Sequence, residues 1–136
     1  VDLLTVSLGP RSYPIRFGHS LRVEVKAEVQ TAQREGRTLA LVTDRQVAAV
    51  QADLLRDMFG DVPRLVLDPG ESTKSLEALG RVLDFMAEHR LDRGSILVAV
   101  GGGVIGDLAG FAAAVYLRGI AFWQVPTTLL AMVDSS

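Results

Sequence analysis

Between Ile96 and Tyr116 the sequence runs from an unbroken apolar stretch, through Gly101, Gly102, Gly103 and Gly106, into a second apolar stretch rich in alanine. The first stretch, Ile96–Val100, has the length of a buried strand, and the second, Asp107–Tyr116, reads as a buried helix. A strand that breaks into glycine and restarts as a helix demands layered α/β packing. Glycine has no Cβ, so its backbone can approach a ligand closely. The unpaired N–H groups at the start of the following helix favour an anion such as phosphate. The turn therefore reads as the floor of a nucleotide site.

The flanking chain agrees with that architecture. Leu4–Leu8 and Tyr13–Phe17 alternate weakly around Gly9-Pro10 and predict an N-terminal β-hairpin or pair of edge strands. His19–Gln33 predicts a helix, with Leu21, Val25, Val29 and Ala32 at helical spacing. Thr38–Thr43 is apolar without alternation, as in a strand covered on both faces. Gln46–Phe59 predicts one helix with Val47, Val50, Leu54 and Met58 on one face, and Arg64–Leu67 predicts a short strand. Asp68–Lys74 is a loop by composition. Ser75–His89 predicts an amphipathic helix with Leu76, Leu79, Val82, Leu83 and Met86 as its stripe. Phe122–Val125 predicts a fourth core strand, and Thr127 and Thr128 are positioned to cap a last helix through Met132. Repeated strand–helix alternation predicts a Rossmann-like, mostly parallel sheet flanked by helices, forming one α/β domain over residues 1–136.

Composition narrows the function. The chain has 136 residues, 49% of them hydrophobic, which is enough for a real core. A net charge of −2 and the lack of any basic block argue against nucleic acid as the main partner. Without cysteine there are no disulfides and no thiolate metal sites. The N-terminus shows no secretory pattern. Arg118-Gly119 and Pro126 interrupt the apolar run before the roughly 20 residues a bilayer needs. A cytoplasmic protein without a membrane partner is expected. The apolar, uncapped end at Val133–Ser136 reads as a fragment of something longer.

Parallel strands bring the segments after their carboxyl ends to one rim. Those segments hold Asp44; Gly70, Glu71 and Lys74; the glycines with Asp107; and Thr127 and Thr128. Gly101-x-Gly103-x-x-Gly106 matches the dinucleotide pattern G-x-G-x-x-G, but on a late strand, with no acid about 20 residues on. Asp44 is then the candidate for the ribose hydroxyls. Tight strand–helix packing is the competing explanation of the glycines. By residue type alone, Glu71 and Lys74 read as a solvated pair three apart, worth a few tenths of a kcal/mol. Asp107 reads as an acid favoured by the first helical turn. Arg118, alone in a long apolar stretch, must be paired, reach solvent or reach an anion; Asp134 faces the same choice. His19 and His89 read as surface residues, and no metal site is proposed among these residues.

The run from Gly101 to Ser136, GGGVIGDLAGFAAAVYLRGIAFWQVPTTLLAMVDSS, closely resembles the 3-dehydroquinate synthase family. Pro69–Ser75 resembles that family's G-E-x-x-K-S loop. Thr43–Val47 resembles its T-D-x-N-V strand end, with Gln46 where Asn is usual, so the longer side chain must relocate its amide. The resemblance implies NAD as cofactor. It implies that Asp44, Gln46 and Val47 meet the adenosine end and that Gly70, Glu71 and Lys74 bind from the side. It further implies that Gly102, Gly103 and Val104 cradle the pyrophosphate, with Gly106 keeping the turn tight. Asp107 would lie near the nicotinamide, Thr127 and Thr128 would also contact NAD, and Arg118 and Asp134 would serve as catalytic residues meeting an acidic sugar phosphate.

The implied reaction oxidises a ring hydroxyl, eliminates phosphate, returns the hydride, opens the ring and closes a carbocycle by an aldol step. Family members also use a divalent metal, zinc or cobalt, held by a Glu and two His in a C-terminal domain outside this chain, and a homodimer is expected. The family's V-G-G-K segment is expected after Ser136, and the isolated fragment is expected to lack cyclase activity. Rival readings are a 2-deoxy-scyllo-inosose or epi-valiolone synthase, an iron-dependent alcohol dehydrogenase, whose G-G-G-S-x-x-D turn fits less well, and a non-catalytic nucleotide-binding module.

Overall fold

A computed structural model describes residues 2–17 and 22–126. Two strands, β1 (Asp2–Val6) and β2 (Tyr13–Phe17), pair antiparallel around a 3-10 turn at Gly9–Arg11. The hairpin expected from the sequence is thus present, starting two residues earlier than the alternation suggests. It forms a sheet of its own, separate from the main one.

Among the described residues the main sheet has four strands in the order β4-β3-β5-β6, all parallel. They are β3 (Leu39–Asp44), β4 (Arg64–Leu67), β5 (Ile96–Gly101) and β6 (Ala121–Pro126). Helices α1 (Arg22–Arg34) and α3 (Ala52–Phe59) cover one face, and α4 (Leu76–Glu88) and α5 (Gly103–Val115) cover the other. Alternate residues of each central strand feed the two cores. Ala40, Val42, Leu97 and Ala99 meet α4 and α5, whereas Leu39, Leu41, Ile96, Val98 and Val100 meet α1 and α3. That is why these strands read as continuous apolar runs. No helix among the described residues is long and apolar enough to cross a membrane.

Four expectations change in detail. The single helix over 46–59 is two, α2 (Arg45–Val50) and α3, broken at Gln51. The break turns Leu55, Met58 and Phe59 inward and leaves Val50 74% exposed, where unbroken helical spacing would bury it. Leu76 does not join the buried stripe of α4. It is the first helical residue, after the Ser75 cap that accepts from the Ala78 N–H, and it is exposed; Ala78, Val82, Phe85 and Met86 are buried instead. Helix α5 begins at Gly103, not Asp107, so Asp107 lies in its second turn, beyond the first-turn position expected from the sequence. Its inward residues Ile105, Leu108, Ala109, Ala112 and Ala113 hold the helix in spite of its glycines. Strand β6 is half-buried throughout and lies at the edge of the described sheet rather than in its centre. His19, Leu21, the helix expected after Pro126 and Thr127, Thr128 and Asp134 lie outside the described residues.

Candidate functional site

The parallel register sets the carboxyl ends of the strands side by side. Asp44 stands opposite Leu67, Thr43 opposite Val100, and Gly101 opposite Pro126. The buried Thr43 hydroxyl donates to the Val100 carbonyl at 2.7 Å and ties two of these ends together. The segments that follow β3, β4 and β5 therefore share one rim. Asp44, the Gly70–Lys74 loop, the glycine turn and Asp107 all lie along it.

Asp44 is the last residue of β3 and the cap of α2. Its Oδ1 accepts the Val47 N–H at 2.8 Å, and its other oxygen has no partner among the described residues. Gln46 is exposed in the first turn of α2 and Val47 is half-buried. Arg45 and Asp68 join the loops after β3 and β4 through a 3.1 Å ion pair. In the β4 loop, Gly70 sits at φ 106°, a conformation that favours glycine, and a 3-10 turn spans Glu71–Thr73. The Thr73 hydroxyl donates to the Asp68 carbonyl at 2.6 Å and holds the loop closed.

Lys74 bridges this loop to α5. Its Nζ lies 2.8 Å from Asp107 Oδ2 and 3.3 Å from Glu71 Oε1. The hydrogen bond to Asp107, and then that to Glu71, hold the ammonium above the usual lysine range. Glu71 and Lys74 are thus a pair, as residue type alone suggests, but the pair includes an acid from another element.

The glycines divide by cause. A Cβ on Gly101 would lie 2.9 Å from the Ile105 Cβ, so packing inside the turn requires glycine there. A Cβ on Gly106 would lie 2.5 Å from Gln124 Nε2, which reflects close contact between α5 and β6. Gly103 differs, because beyond its chain neighbours and its own helix backbone no described atom lies within 4 Å of its Cβ position, and its φ is not positive. As the first residue of a helix it carries a propensity cost of up to about 1 kcal/mol relative to alanine. No contact among the described residues accounts for it. Among the described residues it leaves open space over the N-terminus of a 13-residue helix that has no side-chain cap. By helical geometry the amides of Gly103, Val104 and Ile105 have no partner within the helix.

Arg118 is not brought to this rim. It lies in the 3-10 turn Tyr116–Arg118, just before β6, whose first residue Ala121 pairs with Ile96 at the amino end of β5. The length of β5 separates it from the glycine turn, about 16–20 Å. It is exposed, without an ion-pair partner among the described residues. Leu117 and Arg118 both have left-handed backbones, φ 48° and 69°, which is strained for residues with a Cβ.

Sequence reasoning missed Thr43, although a hydroxyl at the end of an apolar strand was the visible signal. It also missed an apolar hollow of about 430 Å³ between α4 and α5, lined by Leu76, Leu79, Leu108 and Phe111 with Lys74 and Asp107 beside it.

The chain is similar in sequence and in fold to known proteins. A family model described as 3-dehydroquinate synthase N-terminal matches residues 64–136. The 3-dehydroquinate synthase of Opitutus terrae is 57% identical over 99% of this chain and 37% of its own length. Among solved structures, a 2-deoxy-scyllo-inosose synthase complexed with carbaglucose-6-phosphate, NAD+ and Co2+ superimposes on 98% of this chain and 37% of its own. Its TM-score is 0.83 at 28% identity. A 2-epi-5-epi-valiolone synthase from Streptomyces hygroscopicus with NAD+ and Zn2+ bound covers 72% of this chain and 28% of its own, with a TM-score of 0.64 and 34% identity. The chain thus spans little more than a third of the length of these curated relatives, 37% for the Opitutus protein. On the family match over residues 64–136 and 57% identity across nearly the whole chain, this chain belongs to the 3-dehydroquinate synthase family.

Proposed function

We propose that the chain is the NAD-binding portion of an enzyme that converts 3-deoxy-D-arabino-heptulosonate 7-phosphate to 3-dehydroquinate and phosphate. The observation that carries this reading is Gly103: a glycine that no contact among the described residues requires, at the uncapped start of α5. It is the feature expected where a pyrophosphate rests on backbone N–H groups.

The described rim fits NAD. The amides at the start of α5, Gly103 and Val104 among them, would hold the pyrophosphate, with Gly102 as the turn and Gly106 drawing α5 against β6. Asp44 would offer its second oxygen, which has no partner among the described residues, to the adenosine ribose while its first keeps α2 capped. Gln46 and Val47 would lie against the adenosine, and Gly70, Glu71 and Lys74 would close over the cofactor from the side. Asp107, at the second turn of α5, would stand near the nicotinamide, with the Lys74 hydrogen bond holding its carboxylate in place. Thr127 and Thr128 complete the set proposed for NAD. Bound NAD would supply a reversible hydride transfer; the protein's part is position and charge. The neighbour complexed with NAD+ and Co2+ supports a divalent metal, zinc or cobalt, whose ligands would come from a C-terminal domain.

Asp134 and Arg118 are proposed for the acidic substrate on the family resemblance. Arg118 stands at the other edge of the sheet from the cofactor rim. The whole protein is proposed to act in the cytoplasm as a homodimer. A 2-deoxy-scyllo-inosose synthase is the second reading, favoured by the superposition over nearly the whole chain. Phosphate release by the full-length protein separates the two. Release from the heptulosonate phosphate and not from a glucose 6-phosphate supports the first, and the reverse pattern overturns it.

A further inference from the structure

Thr43 carries a hydroxyl where an apolar side chain would suit the core equally well. It is wholly buried in β3, directly after the apolar run Leu39, Ala40, Leu41 and Val42. Valine has nearly the same shape, is also at home in strands, and brings no polar group that must be satisfied inside a core. The other buried polar residues described, Asp44 and Ser95, serve local turns: Asp44 caps α2, and Ser95 bonds to Asp92 within one loop. Thr43 reaches another strand instead. Its Oγ1 donates to the Val100 carbonyl at 2.7 Å, across the last aligned pair of β3 and β5.

That carbonyl belongs to the peptide group between Val100 and Gly101, where the strand gives way to the turn. Gly101, Gly102 and Gly103 follow in a row. Glycine has the widest backbone freedom of any residue, so a run of three keeps one shape only if its ends are held. The downstream end is held by α5 itself, where the Gly106 N–H donates to the Gly102 carbonyl at 3.1 Å. The upstream end carries the Thr43 hydroxyl on its last strand carbonyl. The residue after Thr43 is Asp44, whose carboxylate caps α2. One dipeptide therefore ties the start of the glycine turn to the start of α2.

From this we infer that Thr43 is a positioning residue for the cofactor. Its hydroxyl fixes the glycine turn relative to Asp44, and so sets the spacing between the seats proposed for the pyrophosphate and for the adenosine ribose. A dinucleotide spans both seats at once, and seats already held at the right separation spare binding the cost of ordering them. The inference rests on the NAD reading and adds to it a buried residue that acts through the Val100 carbonyl.

The test measures NAD affinity by calorimetric titration of the full-length protein, at a temperature where circular dichroism shows every variant folded. Thr43→Val removes the hydroxyl and keeps the shape; Thr43→Ser keeps the hydroxyl and gives up a buried methyl group. Val98→Ala, in β5 and in the same core, is the control for damage to packing alone. Thr43→Val is expected to raise the NAD Kd about tenfold, the equivalent of one hydrogen bond, while Thr43→Ser stays within about threefold of the parent. Val98→Ala is expected to melt at a lower temperature than the parent and to bind NAD as the parent does. Without NAD, amide exchange over Gly101–Val104 should quicken in Thr43→Val and not in Thr43→Ser. Parent-like affinity in Thr43→Val overturns the inference. So does an equal loss in Thr43→Ser or in Val98→Ala, because affinity would then follow packing and not the hydroxyl. A parent protein that binds no NAD overturns the cofactor reading as well, whereas NAD binding that ignores the Thr43 hydroxyl sinks the positioning role alone.

Discussion

Lys74 Nζ and Asp107 Oδ2, 2.8 Å apart, join the loop after β4 to the second turn of α5 across the rim. Their side chains are 43% and 37% exposed. An ion pair that open adds little to folding. Its value lies in fixing Asp107 where the nicotinamide is proposed to sit. Lys74→Met is expected to leave the melting temperature nearly unchanged and to weaken NAD binding by about 10- to 100-fold, the range for a lost hydrogen bond to a charged group. Calorimetric titration of the full-length protein checks this. A large thermal shift with unchanged affinity contradicts it.

Gly103 and Gly101 should respond in opposite ways. Alanine at 103 meets open space and a better helical propensity, so stability should hold or rise by up to about 1 kcal/mol. Its methyl would intrude on the proposed pyrophosphate seat, and NAD affinity should drop at least about tenfold, the equivalent of one lost hydrogen bond. Alanine at 101 would press on Ile105 and should destabilise by about 1–3 kcal/mol. Denaturant melts alongside NAD titrations of the two variants decide the matter.

Asp44 has two duties that one pair of variants separates. Asp44→Ala removes the cap of α2 and should cost about 1 kcal/mol of stability. Asp44→Ser keeps a capping oxygen, so its stability should stay near that of the parent. Both lose the carboxylate proposed for the ribose, and both should bind NAD more weakly. Normal NAD affinity in Asp44→Ser removes the ribose role.

Asp57 accepts hydrogen bonds from Arg22 and Lys26 and so links α3 to α1. Arg22 first, and then Lys26, hold its carboxyl below the usual aspartate range. A depressed folded pKa contributes stability that is present above the unfolded value, 3.8, and lost as pH falls through the folded one. Asp57→Asn should therefore be less stable than the parent at pH 7, and the gap should close in acid below about 3.8. Urea melts between pH 7 and pH 2 follow it. A gap that stays constant over that range counts against the ion pairs as its source.

The central strands were legible because both their faces are covered, which turns Thr38–Thr43 and Ile96–Val100 into unbroken apolar runs. The rim followed from parallel connectivity. The break at Gln51 was not legible, because the apolar spacing of 46–59 persists across it. Gly103 and Gly106 read as turn, since composition cannot see the buried alanines and leucine that keep them helical. Arg118 drew notice through its lone charge, and its position was in fact readable. A residue between a helix and the next parallel strand returns to the amino edge of the sheet. What charge alone could not show is that Arg118 and the glycine turn occupy opposite ends of α5.

Hydrogen–deuterium exchange of the full-length protein, with and without saturating NAD, addresses the shared rim most directly. Exchange should slow together in peptides covering Asp44–Val47, Gly70–Lys74 and Gly102–Asp107, and stay unchanged around Leu117–Gly119. Saturable NAD binding that leaves those three segments unprotected, or that protects the Arg118 edge instead, would show that the cofactor rests elsewhere.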